Sequence, residues 1–285
     1  MAKIEIFGVS LPEVREGDNI AKLIVERFQL EDGDIVVITS KIVSKAKGLV
    51  VRLDSITPSE EAVRIAEKVG KDARLVELIL RRGKIIGIIP VYALASSIDI
   101  SAISDNPKLA LELMKKDQTL LLTLVNGQIY SDAGIDASNH PEGFVSIPPD
   151  AMEAAREIRE EIARISGRDV AVLIADTEVF FGGSLDVCRG YAGIHPVSRE
   201  FGREDRFGRP KYGGVDAIVH ELCCAAALLF GQTSAGIPVA VIRGFAYEKD
   251  GKFEVDMEKV FATILRENVR FFGIGGMLKF LKSVL

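Results

Sequence analysis

Three apolar runs constrain this chain more than any other feature: "GDIVVITS" (33–40), "DVAVLIAD" (169–176) and "IPVAVIRGF" (237–245). The first two are short and lack polar alternation, so they read as strands covered on both faces, and the third reads as a further strand. Helical patterns lie between them. "EGDNIAKLIVERFQL" puts Ile20, Leu23, Ile24 and Phe28 on one face, "SEEAVRIAEKVG" opens on Ser59 as an N-cap, and "DARLVELILRRG" closes on Gly83. "PPDAMEAAREIREEIARISG" runs as a helix from Asp150 to Gly167, and "NPKLALELMKKD" as a short one. "VDAIVHELCCAAALLFG" is a helix of small residues, and "DMEKVFATILRENVRFF" is amphipathic. "TLLLTLV" and "QIYS" are strands joined by an Asn126-Gly127 hairpin turn. "SKIVSKAKG" reads as a polar, lysine-bearing loop, and Thr177 to Gly214 as a long irregular segment of the kind that usually carries function. Hairpin signals among alternating strands and helices predict an α+β (mixed α/β) fold with mixed, partly antiparallel sheets flanked by helices.

A chain of 285 residues, 48% of them hydrophobic, buries a large core as one domain or two packed subdomains. Its net charge of −5 gives no general attraction to nucleic acid or anionic lipid. The N-terminus alternates as a strand rather than as a signal sequence, and no apolar run approaches the roughly 18 residues of a membrane span. Cys188, Cys223 and Cys224 have neither zinc-site nor disulfide spacing. The expectation is a soluble, cytoplasmic protein with no nucleic-acid or membrane partner.

Four stretches offer chemistry. Ser40, Lys41, Ser44 and Lys45 follow a strand end, where lysines and free amides suit phosphate oxygens; a solvated basic loop is the plainer reading. "SDAGIDASN" (131–139) places Asp132, Asp136 and Asn139 in a glycine-bearing turn, which Asp and Asn also form for purely local reasons. Asp176-Thr177 ends the second apolar run with hard oxygen donors of the kind magnesium or manganese accepts, or simply with a turn. In "LLFGQTSAGIPVAVIRGF" a helix ends at Gly231-Gln232 and a glycine turn leads into a strand. His140, His195 and His220 fall into no catalytic pattern.

In order, "LPEVREGDNIAKLI", "DGDIVVITSKIVSKAKG", "SDAGIDASN", "VAVLIADT", "GREDRFGRP" and "LLFGQTSAGIPVAVIRG" resemble the coenzyme F420-0:L-glutamate ligase (F420 gamma-glutamyl ligase) family. The resemblance implies a catalytic unit over residues 1–246 with a non-matching insert at about 90–120, two intertwined subdomains, and a homodimer. Residues 247–285 are then a helical extension packed on the same unit. It also implies a GTP-dependent ligase using two divalent ions, Mg2+ or Mn2+, with K+ as a further candidate. A carboxylate acceptor becomes an acyl phosphate, and the amine of L-glutamate displaces phosphate.

Carried over by position, Asp136 and Asp176 are implied as catalytic metal ligands, with Thr177 and Gln232 on a second ion. Leu11, Pro12, Glu13, Val14, Ser40, Lys41, Lys45 and Asn139 are implied nucleotide contacts, as are Phe230, Gly231, Gln232, Thr233, Ser234, Ala235, Gly236 and Ile237. The chain departs from the family after Asp-Thr, where one residue and then Gly-Arg are usual and Glu178, Val179, Phe180 and Phe181 stand instead. Apolar surface replaces an anion grip, and Glu178 adds negative charge. On that reading F420-0 is a poor acceptor, and the alternatives are another acceptor or a ligase-like binder that forms no amide.

Overall fold

The computed structural model describes residues 3–180, 182–231, 235–253 and 255–284. Its strands are β1 (Glu5–Val9), β2 (Ile35–Thr39), β3 (Val50–Arg52), β4 (Lys84–Ile89), β5 (Leu120–Val125), β6 (Gln128–Ser131), β7 (Phe144–Ser146), β8 (Ala171–Phe180), β9 (Gly183–Ala192) and β10 (Val239–Arg243). The helices are α1 (Ile20–Val25), α2 (Ser40–Ala46), α3 (Glu60–Val69), α4 (Ala73–Arg82), α5 (Val91–Leu94), α6 (Pro107–Lys116), α7 (Ala151–Ser166), α8 (Ile218–Phe230) and α9 (Met257–Val284).

The three apolar runs become neighbours in one sheet of order β1-β10-β2-β8-β9, in which β2 and β8 are parallel and the other pairings antiparallel. Side chains alternate across a strand, so a run apolar at every position must be covered twice. Val36, Ile38, Val172, Ile174, Val239 and Val241 face a layer formed by α1 and α7. Ile35, Val37, Ala171, Leu173, Ala240 and Ile242 face α8. Ile38 is fully buried, and trimming it to Ala removes about 2–5 kcal/mol of stability. Asp150 caps α7 by accepting from the Glu153 amide at 3.0 Å, and Gly167 ends it in the left-handed conformation. The start of α7 lies so close to β9 that a Cβ on Gly190 would stand 2.1 Å from the Ala151 carbonyl.

A second sheet, β4-β5-β6, is antiparallel and packs on α3 and α4 through Ala62, Ala66, Val76, Ile79 and Leu121. Asn126 and Gly127, both at positive φ, make the expected hairpin turn between β5 and β6. The β3–β7 pair is a small third sheet. The architecture is α+β with mixed sheets, as the alternation of signals implied.

Two sequence expectations need correction. "SKIVSKAKG" is not a loop, because its first seven residues form α2, with Ile42 and Val43 turned into the core. The irregular segment does not start at Thr177: β8 continues to Phe180 and turns back into β9 as a long antiparallel arm. Asp176 therefore lies within a strand and not at its end. In α9 a break at Gly273 interrupts the helix, and Phe261, Ile264, Leu265, Phe271 and Phe272 are exposed. Among the described residues no helix is long and apolar enough to cross a membrane.

Candidate active site

β2 ends at Thr39 and α2 begins at the next residue, so the carboxyl end of a central strand opens directly onto a helix start. Lys41 and Lys45 lie four apart on α2 and share a face. β8 pairs with β2 only as far as Ala175, opposite Thr39, so Asp176 is the first residue of β8 beyond the end of β2. Its Oδ1 accepts from Ser40 Oγ at 2.9 Å. Burial pushes the Asp176 carboxyl up to about 6, while the Arg189 charge and the Ser40 hydroxyl work in the other direction.

Asp136 arrives from the second sheet. After β6 the chain makes a tight turn in which Asp132, Ala133 and Gly134 all take positive φ. Such backbone is unfavourable for Asp and Ala and persists only where its surroundings hold it. Here the Asp132 carboxylate accepts from the Leu121 amide at 2.9 Å and pairs with the fully buried Lys71 ammonium at 3.0 Å. Arg82 donates to the Ala133 and Pro148 carbonyls. Beyond the turn, the Asp136 amide and carbonyl bond to Ser146 at 3.1 and 2.8 Å. The Asp136 carboxylate accepts from the Ser138 amide at 2.7 Å and pairs with Lys41 Nζ at 2.7 Å. Lys41 also donates to Ser138 Oγ. Burial works to raise the Asp136 carboxyl, but Lys41 and Ser138 outweigh it and hold it below the usual range.

These groups face one cavity of about 650 Å³, well within the range of small-molecule sites. Of the residues expected to bind nucleotide or metal, Leu11, Pro12, Glu13, Val14, Ser40, Lys41, Lys45, Asp136, Asn139, Asp176, Thr177, Phe230, Gly231, Ala235, Gly236 and Ile237 all line it. Gln232, Thr233 and Ser234 lie outside the described residues. Lys45 pairs with Glu13 at 2.6 Å and is largely buried. The cavity also takes in Val179, from the stretch where the sequence departs from the family pattern, and Ser138 and Asp186, which sequence reasoning missed. Asp186 sits opposite Thr177 in the β8–β9 register, a relation legible only once that hairpin is known.

Glu178 does not project charge at an incoming acceptor. It is 8% exposed, its Oε2 pairs with Arg189 Nη2 at 2.6 Å and accepts from the Ser131 amide at 2.9 Å. The expected repulsion of an anionic acceptor therefore has no basis in Glu178. Cys223 is buried on α8, Cys224 is half-buried with its Sγ 3.3 Å from the Asp186 carbonyl, and all three cysteines are free. His220 Nδ1 accepts from the Cys188 amide, and His195 Nδ1 lies 2.8 Å from the Val197 carbonyl, so both serve local structure.

The donor chemistry suits a hard divalent cation, since Asp136, Asp176 and Thr177 offer carboxylate and hydroxyl oxygens to one cavity. Among the described residues no three His, Cys, Asp or Glu side chains form a ready cage.

The fold thus places lysines, carboxylates and hydroxyls of both sheets' elements on one cavity large enough for a small-molecule ligand. The family model described as F420-0:Gamma-glutamyl ligase matches residues 8–244. The chain is 35% identical to a coenzyme F420:L-glutamate ligase of Methanosarcina mazei, covering 87% of this chain and 89% of that one. It is 36% identical to the Methanosarcina acetivorans protein of the same name, covering 86% and 87%. Against the one from Archaeoglobus fulgidus it is 32% identical, covering 88% and 92%. The chain belongs to the F420-0:gamma-glutamyl ligase family, and so to the ligases that form carbon–nitrogen bonds.

Proposed function

We propose that this protein joins the amine of L-glutamate to the carboxylate of F420-0 or a close relative, at the expense of GTP and with Mg2+ or Mn2+. The observation that carries the reading is the convergence of Lys41, Lys45, Asp136, Asp176 and Thr177 on one cavity beyond the end of β2. A carboxylate is a poor acyl donor near neutral pH, and phosphorylation gives it a leaving group. In the first step an acceptor carboxylate oxygen attacks the γ-phosphorus and GDP leaves. In the second the glutamate nitrogen attacks the acyl carbon, phosphate leaves, and the nitrogen loses a proton. The protein's task is positioning and neutralisation of charge.

Lys41 and Lys45 supply point charges to phosphate oxygens, and the half-enclosed cavity limits attack by water on the acyl phosphate. Asp136, Asp176, Thr177 and Gln232 would hold the divalent ions, which would supply positive charge to neutralise phosphate oxygens. Val179 gives the wall beside Asp176 an apolar surface that suits the less charged part of an acceptor. The reading extends to a homodimer, supported by exposed Ile86 and Ile88 on β4 and Leu109 and Leu113 on α6, an apolar surface of the kind that marks protein contacts.

The test incubates the protein with GTP, Mg2+ or Mn2+, F420-0 and L-glutamate, reading GDP release and product mass. GDP released only when both acid and amine are present, with one amide formed per GDP, is the expected result. Tight nucleotide binding without any amide over a panel of carboxylates identifies a ligase-like binder and overturns the proposal.

A further inference from the structure

Thr177 and Asp186 stand directly opposite one another on β8 and β9, and Thr177 Oγ1 donates to Asp186 Oδ1 at 2.7 Å. Asp186 is 5% exposed, yet it lines the same cavity as Asp136 and Asp176. Among the described residues no Lys or Arg nitrogen comes within 4.0 Å of its carboxylate. A nearly buried carboxylate without a cationic partner is costly to keep, and a plain cross-strand pair on a hairpin arm does not require one.

A hydroxyl has one proton to donate and two lone pairs to offer. With its proton committed to Asp186, Thr177 has only acceptor capacity left for the cavity. It is unable to donate to a phosphate oxygen, but its lone pairs suit a cation. An ionised acceptor also draws the hydroxyl proton away and makes the oxygen more electron-rich, as carboxylates do behind other metal-ligating groups.

We propose that Asp186 is a positioning residue that fixes the Thr177 hydroxyl with its lone pairs toward the cavity, presenting it to a divalent cation and not to an anion. The proposal rests on the metal-dependent reading of this site. Asp186 acts through Thr177 and does not itself touch substrate.

The experiment measures Mn2+ binding to the full chain by electron paramagnetic resonance, with a non-hydrolysable GTP analogue present. Metal-free nucleotide affinity is measured separately by equilibrium dialysis in chelator. Asp186→Ala weakens Mn2+ binding by roughly 10–100-fold, the usual effect of removing a group behind a metal ligand, and leaves metal-free nucleotide affinity within about twofold. Asp186→Asn keeps an acceptor carbonyl of the same shape, so it folds normally and retains most of the Mn2+ affinity. In a Thr177→Val background, Asp186→Ala adds nothing further. Unchanged Mn2+ affinity in Asp186→Ala overturns the inference while the metal-dependent reading stands. An equal loss of metal-free nucleotide affinity, or a full effect persisting beside Thr177→Val, overturns it as well. A wild-type protein that binds no Mn2+ with the analogue present removes the metal-dependent reading and this inference together.

Discussion

Arg189 on β9 donates from Nη2 to Glu178 on β8 across 2.6 Å, and both side chains are at most a tenth exposed. The same guanidinium lies 3.6 Å from the centre of the Tyr130 ring and donates from Nη1 to the Ile129 carbonyl, while its Nε is buried with no partner. Tyr130 and Ile129 belong to β6, so this pair joins the β8–β9 arm of the large sheet to the second sheet. Asp176 rides on one side of that joint and the Asp136 turn on the other.

Breaking a buried pair by removing one partner strands the other charge. Arg189→Met should lower unfolding free energy by about 3–5 kcal/mol, and Glu178→Gln by a comparable amount. The double variant should lose clearly less than the sum of the two. Urea titrations of the four proteins measure the coupling, and strict additivity would show that the two side chains do not depend on each other.

The carboxyl of Asp176, raised to about 6, gives the metal-free protein a definite pH dependence. Below about pH 4 the group is protonated folded or unfolded. As pH rises from about 4 to 6, the folded state keeps a proton that the unfolded chain has lost, so stability falls. Above about 6 the penalty is complete: at most about 3 kcal/mol at roughly 1.4 kcal/mol per pKa unit, and less because Asp176 is half-buried and partly solvated. Asp176→Asn should therefore be more stable than wild type at pH 7.5 and no more stable at pH 4. Identical pH slopes in the two proteins would place this carboxylate in ordinary solvent.

Lys71 has a fully buried side chain held between Asp117 at 2.6 Å and Asp132 at 3.0 Å. Burial pushes the Asp132 carboxyl up, and Lys71 is the main influence against that. Lys71→Met should cost about 3–5 kcal/mol at pH 7.5 and distinctly less at pH 5, where Asp132 can take up a proton instead. Adding Asp132→Asn should restore part of the loss. Thermal melts at the two pH values check this, and a pH-independent loss would point to packing alone.

The two kinds of charge in the cavity should separate in kinetics. On the proposed reading Lys45 meets a phosphate, so Lys45→Ala should raise the KM for GTP by about 10–100-fold, the equivalent of one charge-assisted hydrogen bond, with little change in kcat. Asp136→Ala should lower metal-dependent turnover by at least about 100-fold while leaving the circular dichroism spectrum intact. Normal turnover in Asp136→Ala would return that residue to a turn-forming role.

Much of the scaffold was legible because its signals are local. Ser59, Asp150 and Gly167 mark helix ends through their own side chains or φ values, and Asn126-Gly127 specifies a hairpin by itself. The unbroken Val and Ile of β2 demanded cover on both faces. α2 stayed hidden because Thr39 makes no side-chain capping bond and the helix follows a strand without any turn residue. β9 stayed hidden because Gly183, Ser184, Asp186 and Arg189 break the apolar alternation of a strand. Asp136 and Asp176 stood out in the sequence as aspartates in a glycine-bearing turn and at the end of an apolar run, and their proposed metal role came from the resemblance. The Asp186–Thr177 and Glu178–Arg189 pairings instead depend on hairpin register and a bulge near Ile174, which periodicity does not encode.

The Lys41–Asp136 contact would make cation loading an exchange. Asp136 already has a positive partner at 2.7 Å, so on the proposed metal-dependent reading a divalent ion held by Asp136 would take the place of an ammonium instead of filling an unanswered anionic hole. The released lysine, tethered on α2 beside Lys45, would then be available to phosphate oxygens. On that reading metal and nucleotide would be two halves of a single swap, each favouring the other's entry.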